Sequence, residues 1–561
     1  MKKFLMAFIL IVACTVTLVS CKKGDTNSLG QGDELYVIPM LEGSNNNIGI
    51  KRSDETKVGQ YIKEKFNIVF EFSIYAGDLR EKQSLMLAAG DYNEIQQLQR
   101  DDMVLNYANA SALVDLQPYL EKMPNFKSRF AELIPYWRLI CGGPLYKWET
   151  LVPLKGETDM EVLDVWVRSD LLEKAGWPLL RSASDYINFL ERMVPGAVDV
   201  NGKPIVGMTM PLAESWGIAG IASIFYEKGQ NYLPLSNEGF IFDHTNNRFV
   251  DYFQHQDVKD SYLFWSQLTR RGLFDLECYT DTIDITQEKA SSGSTAAFNY
   301  VGWTAGGVNA TLRAVGHPEM QYIELPIQSD AQVSRNEKRL VRVETTRSFD
   351  SYALTKNCKN PERVIQLLDW ASSDEGQIIL ASGLEGQHWI RDSSGKRVWT
   401  DLFVQAKMDP DINKKEGIGF GRNMGLPTFH LSAADGQPVD LTNQMIWVDG
   451  QGLSDREREV FSKMGWASSK DWWLKNTTFG ETGLAGTVYI DPASDLGAIH
   501  TMMTEIRVRH AANLMQAKSD EEFERLYRAA MTEYDRINHQ SVIDAFNRQY
   551  QSRADELKKY Q

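Results

Sequence analysis

Apolar positions recur at helical spacing through residues 251–272: Tyr252, Val258, Tyr262, Trp265 and Leu268 form one stripe. Arg270 and Arg271 then place positive charge at the end of the helix, and Gly272 supplies its stop. A small-residue turn from Ser291 to Ser294 feeds the short apolar run Ala296-Ala297-Phe298. That run predicts a strand stopping at Asn299, with Tyr300 and Trp303 beyond its end. Open α/β sheets bind ligands outside the carboxyl ends of their strands, so these two aromatics are candidates for a site; the alternative is that Trp303 is packed in the core.

The opening of the chain alternates strand and helix patterns. Residues 34–41 (ELYVIPML) predict a strand, Glu42 to Asn47 a polar turn, Asp54–Phe66 a helix, Ile68–Ile74 a strand, and Leu79–Ala89 a helix ending at Gly90. This β-α-β-α-β order predicts a parallel sheet with right-handed crossovers. Further on, LDVWV (163–167) is strand-like, and a helix follows that Gly176 and Pro178 close. Ser184 is read as the cap of the next helix, to about Met193. Asn246-Asn247 between two short β runs marks a hairpin, and Pro361-Glu362 opens a helix through Trp370. Near the end, the polar faces after Met502 and the acidic start at Asp520-Glu521-Glu522 predict a terminal helical hairpin.

The length of 561 residues calls for at least two packed units. A net charge of -15 with no basic stripe excludes a phosphate-backbone partner, since such binding needs clustered Lys and Arg. The 14 Trp, 22 Tyr and 24 Phe offer flat apolar faces suited to sugar rings, as well as material for a large core. Lys2-Lys3, the apolar run Phe4 to Ala13 and Leu18-Val19-Ser20-Cys21 resemble a bacterial lipoprotein signal, with Cys21 as the expected lipid attachment point and residues 1–20 removed; an ordinary secretory signal or an uncleaved anchor is the alternative. Lys22 to Asp33 then read as a flexible tether. Cys141, Cys278 and Cys358 are too few and too far apart for a disulfide framework or a zinc site. There is no G-x-S-x-G, H-E-x-x-H or phosphate-loop motif, so no catalytic residue, cofactor or metal is assigned. A hydrolase would need two carboxylates flanking a glycosidic bond, and Glu344 and Glu385 are the pair to watch.

The helix with its RGLFD turn, and the small-residue strand ending in an aromatic, resemble the extracellular solute-binding proteins of family 1 of ABC importers. The likeness is greatest to the large lipoprotein branch typified by alginate-oligosaccharide binders. LMLAAGDYNEIQQLQ (85–99), YANASALVDLQPYLEKMPN (107–125), RSDLLEKAGWP (168–178), RVIQLLDWASSDEGQIILASG (363–383) and the Gly-x-Glu-Gly turn to His388 follow the same order. The resemblance implies an α/β, two-lobed periplasmic-binding-protein-like fold of type II, its lobes joined by hinge crossovers, with extra C-terminal helices. It divides the chain into a first lobe (34–155), a second lobe (156–345), a return to the first (346–382), and a second-lobe and C-terminal part (383–561).

By the same resemblance, the chain captures a carbohydrate, most simply an oligosaccharide, in an interlobe cleft and delivers it to the transmembrane subunits of an ABC permease. It would act as a monomer, lipid-anchored on the extracytoplasmic face of the cell membrane, without enzymatic activity. The rival readings are a lipid-anchored carbohydrate-active hydrolase and a surface glycan-binding lipoprotein. The expected ligand-binding residues are Trp303, Tyr300, Gln99, Arg100, Asn45, Trp148, Trp216, Glu385 and His388. The branch's calcium loop is reduced here to Asp199-Val200-Asn201-Gly202-Lys203-Pro204, which leaves too few oxygen ligands for calcium.

Overall fold

The computed structural model describes residues 34–43, 47–150, 163–213, 217–218, 222, 224–225, 240–243, 246–343, 351–427, 433–444, 453–481 and 483–561. Two large hydrophobic cores divide the chain into two lobes. In the first lobe, β1 (Tyr36–Gly43) and β2 (Ile68–Tyr75) pair in parallel from Tyr36↔Ile68 to Gly43↔Tyr75. Helix α1 (Lys57–Phe66) crosses between them, capped by Thr56, whose side chain accepts from the Gly59 N–H. Val58, Ile62 and Phe66 face the core. Helix α2 (Leu79–Ala89) is bounded as its local signals predict: Asp78 accepts from two first-turn N–H groups, and Gly90 turns out with φ +70.

β3 (Ile95–Leu98) leads into α3 (Arg100–Asn109). It lies beside β1 but does not extend a parallel sheet. Its hydrogen-bonded neighbour is a strand that returns much later, antiparallel, and that also pairs with β4 (Trp148–Glu149). Only the first of the expected parallel pairings is therefore present in the first lobe.

The second lobe is built on β5 (Leu163–Arg168) and β6 (Val206–Thr209), with a hairpin of β7 (Phe240–Asp243) and β8 (Arg248–Asp251), then β9 (Thr295–Val301) and β10 (Tyr322–Leu325). The main sheet runs β10-β5-β9-β6. The helix Gln256–Arg270 packs against this lobe's core, and the whole predicted stripe of Tyr252, Val258, Tyr262, Trp265 and Leu268 is fully buried. Ser182, rather than Ser184, caps the helix Ala183–Met193, because its hydroxyl and Asp185 form a reciprocal capping box.

The return strand is β12 (Ser351–Leu354), after β11 (Arg339–Val343). The helix Pro361–Ala371 follows, and Trp370 packs against Tyr61 and Phe66. The stretch from Asp374 to Gln444, including the hairpin β13 (Trp389–Arg391) and β14 (Arg397–Trp399), forms a small core of its own on the first lobe. Met424 and Leu426 enter the first-lobe core, the Trp148 indole N–H donates to the Gly425 carbonyl at 2.7 Å, and Asn423 donates to Glu42 at 3.0 Å. The expected second-lobe and C-terminal part, 383–561, therefore starts later: residues 383–427 and 433–444 pack with the first lobe, a placement that no local signal announces.

Second-lobe packing resumes at Val460 and Phe461 of the helix Asp455–Met464. β15 (Thr477–Glu481) pairs in parallel with β11. The C-terminal part is three helices, Asp495–Met515, Asp520–Arg536 and Gln540–Leu557, and the first begins earlier than the predicted Met502. Among the described residues no helix is long and apolar enough to cross a membrane.

Candidate ligand-binding edges of the two lobes

The chain leaves the first lobe after β4 and returns to it at β12, so the Glu149 end of β4 and the Ser351 end of β12 mark the edge from which crossings depart. Ser351 pairs with both Glu149 and Leu98, which brings the carboxyl end of β3 to the same edge. Gln99 and Arg100, predicted from sequence as cleft residues, follow Leu98 directly. Gln99 is the half-buried N-cap of α3, and Arg100 is that helix's first residue.

Behind this edge lies a charge cluster. The Lys147 ammonium donates at 2.5 Å to Asp101 and at 2.5 Å to Glu149, and the Ser351 hydroxyl donates to Glu149 at 2.8 Å. The Lys147 and Glu149 side chains are wholly buried. Two carboxylates thus share one ammonium out of contact with water, and Glu149 Oε2 has no hydrogen-bond partner. Burial pushes the Glu149 carboxyl up to about 7, with the Lys147 charge offsetting only part of the cost. Burial alone would lower the Lys147 pKa, but the two carboxylates carry it above its ordinary value. Sequence reasoning missed this cluster. The available signal was the alternation in Lys147-Trp148-Glu149, which sets the two charges on one strand face and the indole on the other.

In the second lobe, Leu163, the first residue of β5 after a crossing, pairs with Val301, so the carboxyl end of β9 reaches the crossing edge. The strand does not stop at Asn299: pairing with β5 carries it through Tyr300 and Val301, and the helix Gly302–Ala314 starts at the next residue. Tyr300 is 6% exposed, inside the strand, and lines a narrow pocket with Thr286, Phe298 and Thr304. Trp303 falls in the helix's first turn, immediately past the strand's end.

The remaining predicted residues are dispersed. Asn45, Trp216, Glu344, Cys21 and the tether lie outside the described residues, as do the side chains of Arg100 and Trp303. Trp148 faces inward, 0% exposed, stacked on Tyr352, so its role here is packing. His388 is also 0% exposed. Its Nδ1 accepts from the Leu384 N–H at 2.8 Å, which leaves the proton on Nε2 to donate to Glu416 at 3.0 Å. Gly383 (φ +78) makes room for it, since a Cβ there would lie 2.3 Å from Nδ1. His388 therefore fixes a turn. Glu385 is exposed on that turn and pairs with Arg391 at 3.3 Å. It lines a groove of about 710 Å³ along the outer face of α1, with Lys57, Tyr61, Ile379 and Trp389.

Among the described residues no cluster of three or more His, Cys, Asp or Glu could hold a metal ion. In the shortened loop Asp199 Oδ1 accepts from the N–H groups of Asn201 and Lys203, each at 2.8 Å, so the carboxylate is spent on holding the turn. Adding EGTA is expected to leave the melting temperature unchanged; a drop that calcium restores would show that the loop binds the ion.

No protein-family profile matches the chain, and no curated protein is similar to it in sequence. Solved structures do match. A solute-binding protein associated with an ABC transporter that binds human milk oligosaccharides, from Bifidobacterium longum infantis, superposes with a TM-score of 0.60 at 16% identity, covering 92% of this chain and 99% of that one. The chain has the two-lobed fold of ABC-transporter solute-binding proteins. The substrate-binding protein FusA of Streptococcus pneumoniae, as an EF-hand mutant in complex with fructo-nystose, matches with a TM-score of 0.62 at 15% identity over 92% of this chain and 100% of that one. The alginate-binding protein AlgQ2 without calcium ion gives 0.61 at 15% identity over 92% and 98%.

Proposed function

We propose that the protein is the substrate-binding component of an ABC importer, of the family 1 type, that captures a carbohydrate between its lobes and passes it to a permease. The observation that carries this reading is topological. Gln99 and Arg100 follow the carboxyl end of β3 in the first lobe, and Trp303 follows the carboxyl end of β9 in the second, while Tyr300 is buried within that strand. A sugar between these ends would touch both lobes at once. Closure is then a shift of population toward the arrangement with more contacts, and no bond is made or broken.

That the structural neighbours bind milk oligosaccharides, a fructo-oligosaccharide and alginate supports an oligosaccharide as the ligand class. For a hydrolase, Glu385 is a poor candidate acid, since it is salt-bridged to Arg391 in the outer groove. A thermal-shift screen of the purified protein against a glycan panel tests the proposal: at least one oligosaccharide is expected to raise the melting temperature without being cleaved. Hydrolysis of the stabilising glycan would replace this reading with an enzymatic one, and a panel without any stabilising glycan would remove carbohydrate as the ligand class.

Location is part of the same proposal. Acyl chains on Cys21 would hold the protein at the membrane, each buried methylene contributing roughly 0.8 kcal/mol. Cys21→Ala is expected to move the protein from the membrane to the soluble fraction, and equal membrane retention would overturn the lipid anchor.

A further inference from the structure

The last helix, Gln540–Leu557, is rooted in the second lobe. Val542, Ile543 and Phe546 lie in its core, and Asn547 exchanges two hydrogen bonds with the Phe249 backbone of β8, at 2.7 and 3.0 Å. The Gln549 side chain accepts from the Tyr489 N–H at 2.6 Å. Its far end, however, rests on the first lobe. Arg553 Nη1 donates at 3.2 Å to the Leu139 carbonyl, one of the last in the helix Ile134–Ile140, whose Ile134 and Trp137 are first-lobe core residues. The guanidinium of Arg138, from the same helix, sits 4.9 Å from the centre of the Tyr560 ring. Arg138 is held there by donating to the Gly143 carbonyl at 2.7 Å, and Glu556 accepts from Arg553 at 3.2 Å. Both arginines are thus positioned by a second partner. The second-lobe turn Gly483–Thr487 lies against the same first-lobe helix.

The chain passes from lobe to lobe between residues 150 and 163, 343 and 351, and 444 and 453, and the C-terminal helix adds a non-covalent link between described residues of the two. A rotation of one lobe against the other would carry the Leu139 carbonyl and the Arg138 guanidinium away from Arg553 and Tyr560, or press them together. We propose that the C-terminal segment Arg553–Gln561 is an interlobe strap that biases the angle between the lobes and so sets the free-energy cost of closure. It needs no contact with any ligand. A cation over an aromatic ring together with a capped carbonyl is worth a roughly tenfold bias between lobe arrangements, equivalent to about 1.4 kcal/mol.

The strap can be tested on the full chain without any sugar, so its outcome is independent of the ligand assignment. Probes attached through azido side chains at the exposed positions Glu64 and Lys174, one in each lobe, would report the distribution of interlobe distances while leaving the native cysteines untouched. Tyr560→Ala and a chain ending at Leu557 are expected to broaden that distribution and shift its mean. Tyr560→Phe, which keeps the ring, should reproduce the wild-type distribution. A Tyr560→Ala protein with a wild-type distance distribution would overturn the strap, and so would a Tyr560→Phe protein that behaves like Tyr560→Ala.

Discussion

Replacing Lys147 by Met is expected to destabilise the first lobe by about 3–5 kcal/mol, because it leaves Asp101 and Glu149 facing each other in a buried site with no cation. Denaturant unfolding measures the loss; a change below about 1 kcal/mol would mean that water reaches the cluster. The same cluster predicts a pH dependence. The folded protein holds the Glu149 proton up to about 7, against an ordinary value of 4.5. The stability that this proton contributes is fully present below the ordinary value and is lost as pH rises from about 4.5 through about 7, a change on the order of 3 kcal/mol. Glu149→Gln should flatten this part of the profile. The double variant with Lys147→Met should recover much of the stability lost by the single one, because it removes a charge from each side. Equal pH profiles for wild type and Glu149→Gln would show that Glu149 is ionised throughout.

The position of this cluster bears on function as well as stability. Glu149 ends the strand from which the chain leaves the lobe, and Ser351 begins the strand on which it returns, so the bonds between them tie the roots of two crossings together.

What could be read from the sequence was what is encoded locally. Helix α2 is legible because Gly90 punctuates its end, and the 252–268 stripe because one face of a helix repeats. Strand order was not legible, because β12 inserts between β3 and β4 from some 250 and 200 residues further along the chain, respectively. The end of β9 was misplaced for the same reason: Asn299 and Tyr300 look like a polar stop in isolation, and only the pairing with β5 extends the strand. Trp148 and His388 show the limit for candidate sites. A tryptophan and a histidine in a family-like segment suit a sugar site, yet the first fills a core and the second holds a turn, distinctions that depend on the Gly425 carbonyl and on Glu416, both distant in sequence. Gln99 and Arg100 follow β3 directly and Trp303 follows β9 directly, so their places beside strand ends agree with the sequence pattern, whereas Tyr300 lies inside β9.

Trp303→Ala is expected to weaken carbohydrate binding about ten- to a hundredfold, if the residue serves as the second-lobe platform. It follows β9 directly, in the first turn of Gly302–Ala314, at the edge where β5 begins. An indole covers one face of a pyranose, removing its axial C–H surface from water while the hydroxyls remain free to bond polar groups. Burying roughly 60–100 Å² of apolar surface at about 25 cal/mol per Å² contributes some 1.5–2.5 kcal/mol, and each 1.4 kcal/mol is tenfold in affinity. A core tryptophan would behave differently: its truncation would cost about 3–5 kcal/mol of stability and impair binding only through unfolding. Calorimetric titration of the variant with the glycan identified by the panel, run beside its denaturant unfolding, separates the two. Lost affinity at near-native stability supports the platform, whereas intact affinity with a large loss of stability would remove Trp303 from the site and leave the second-lobe contact to other residues of the same edge.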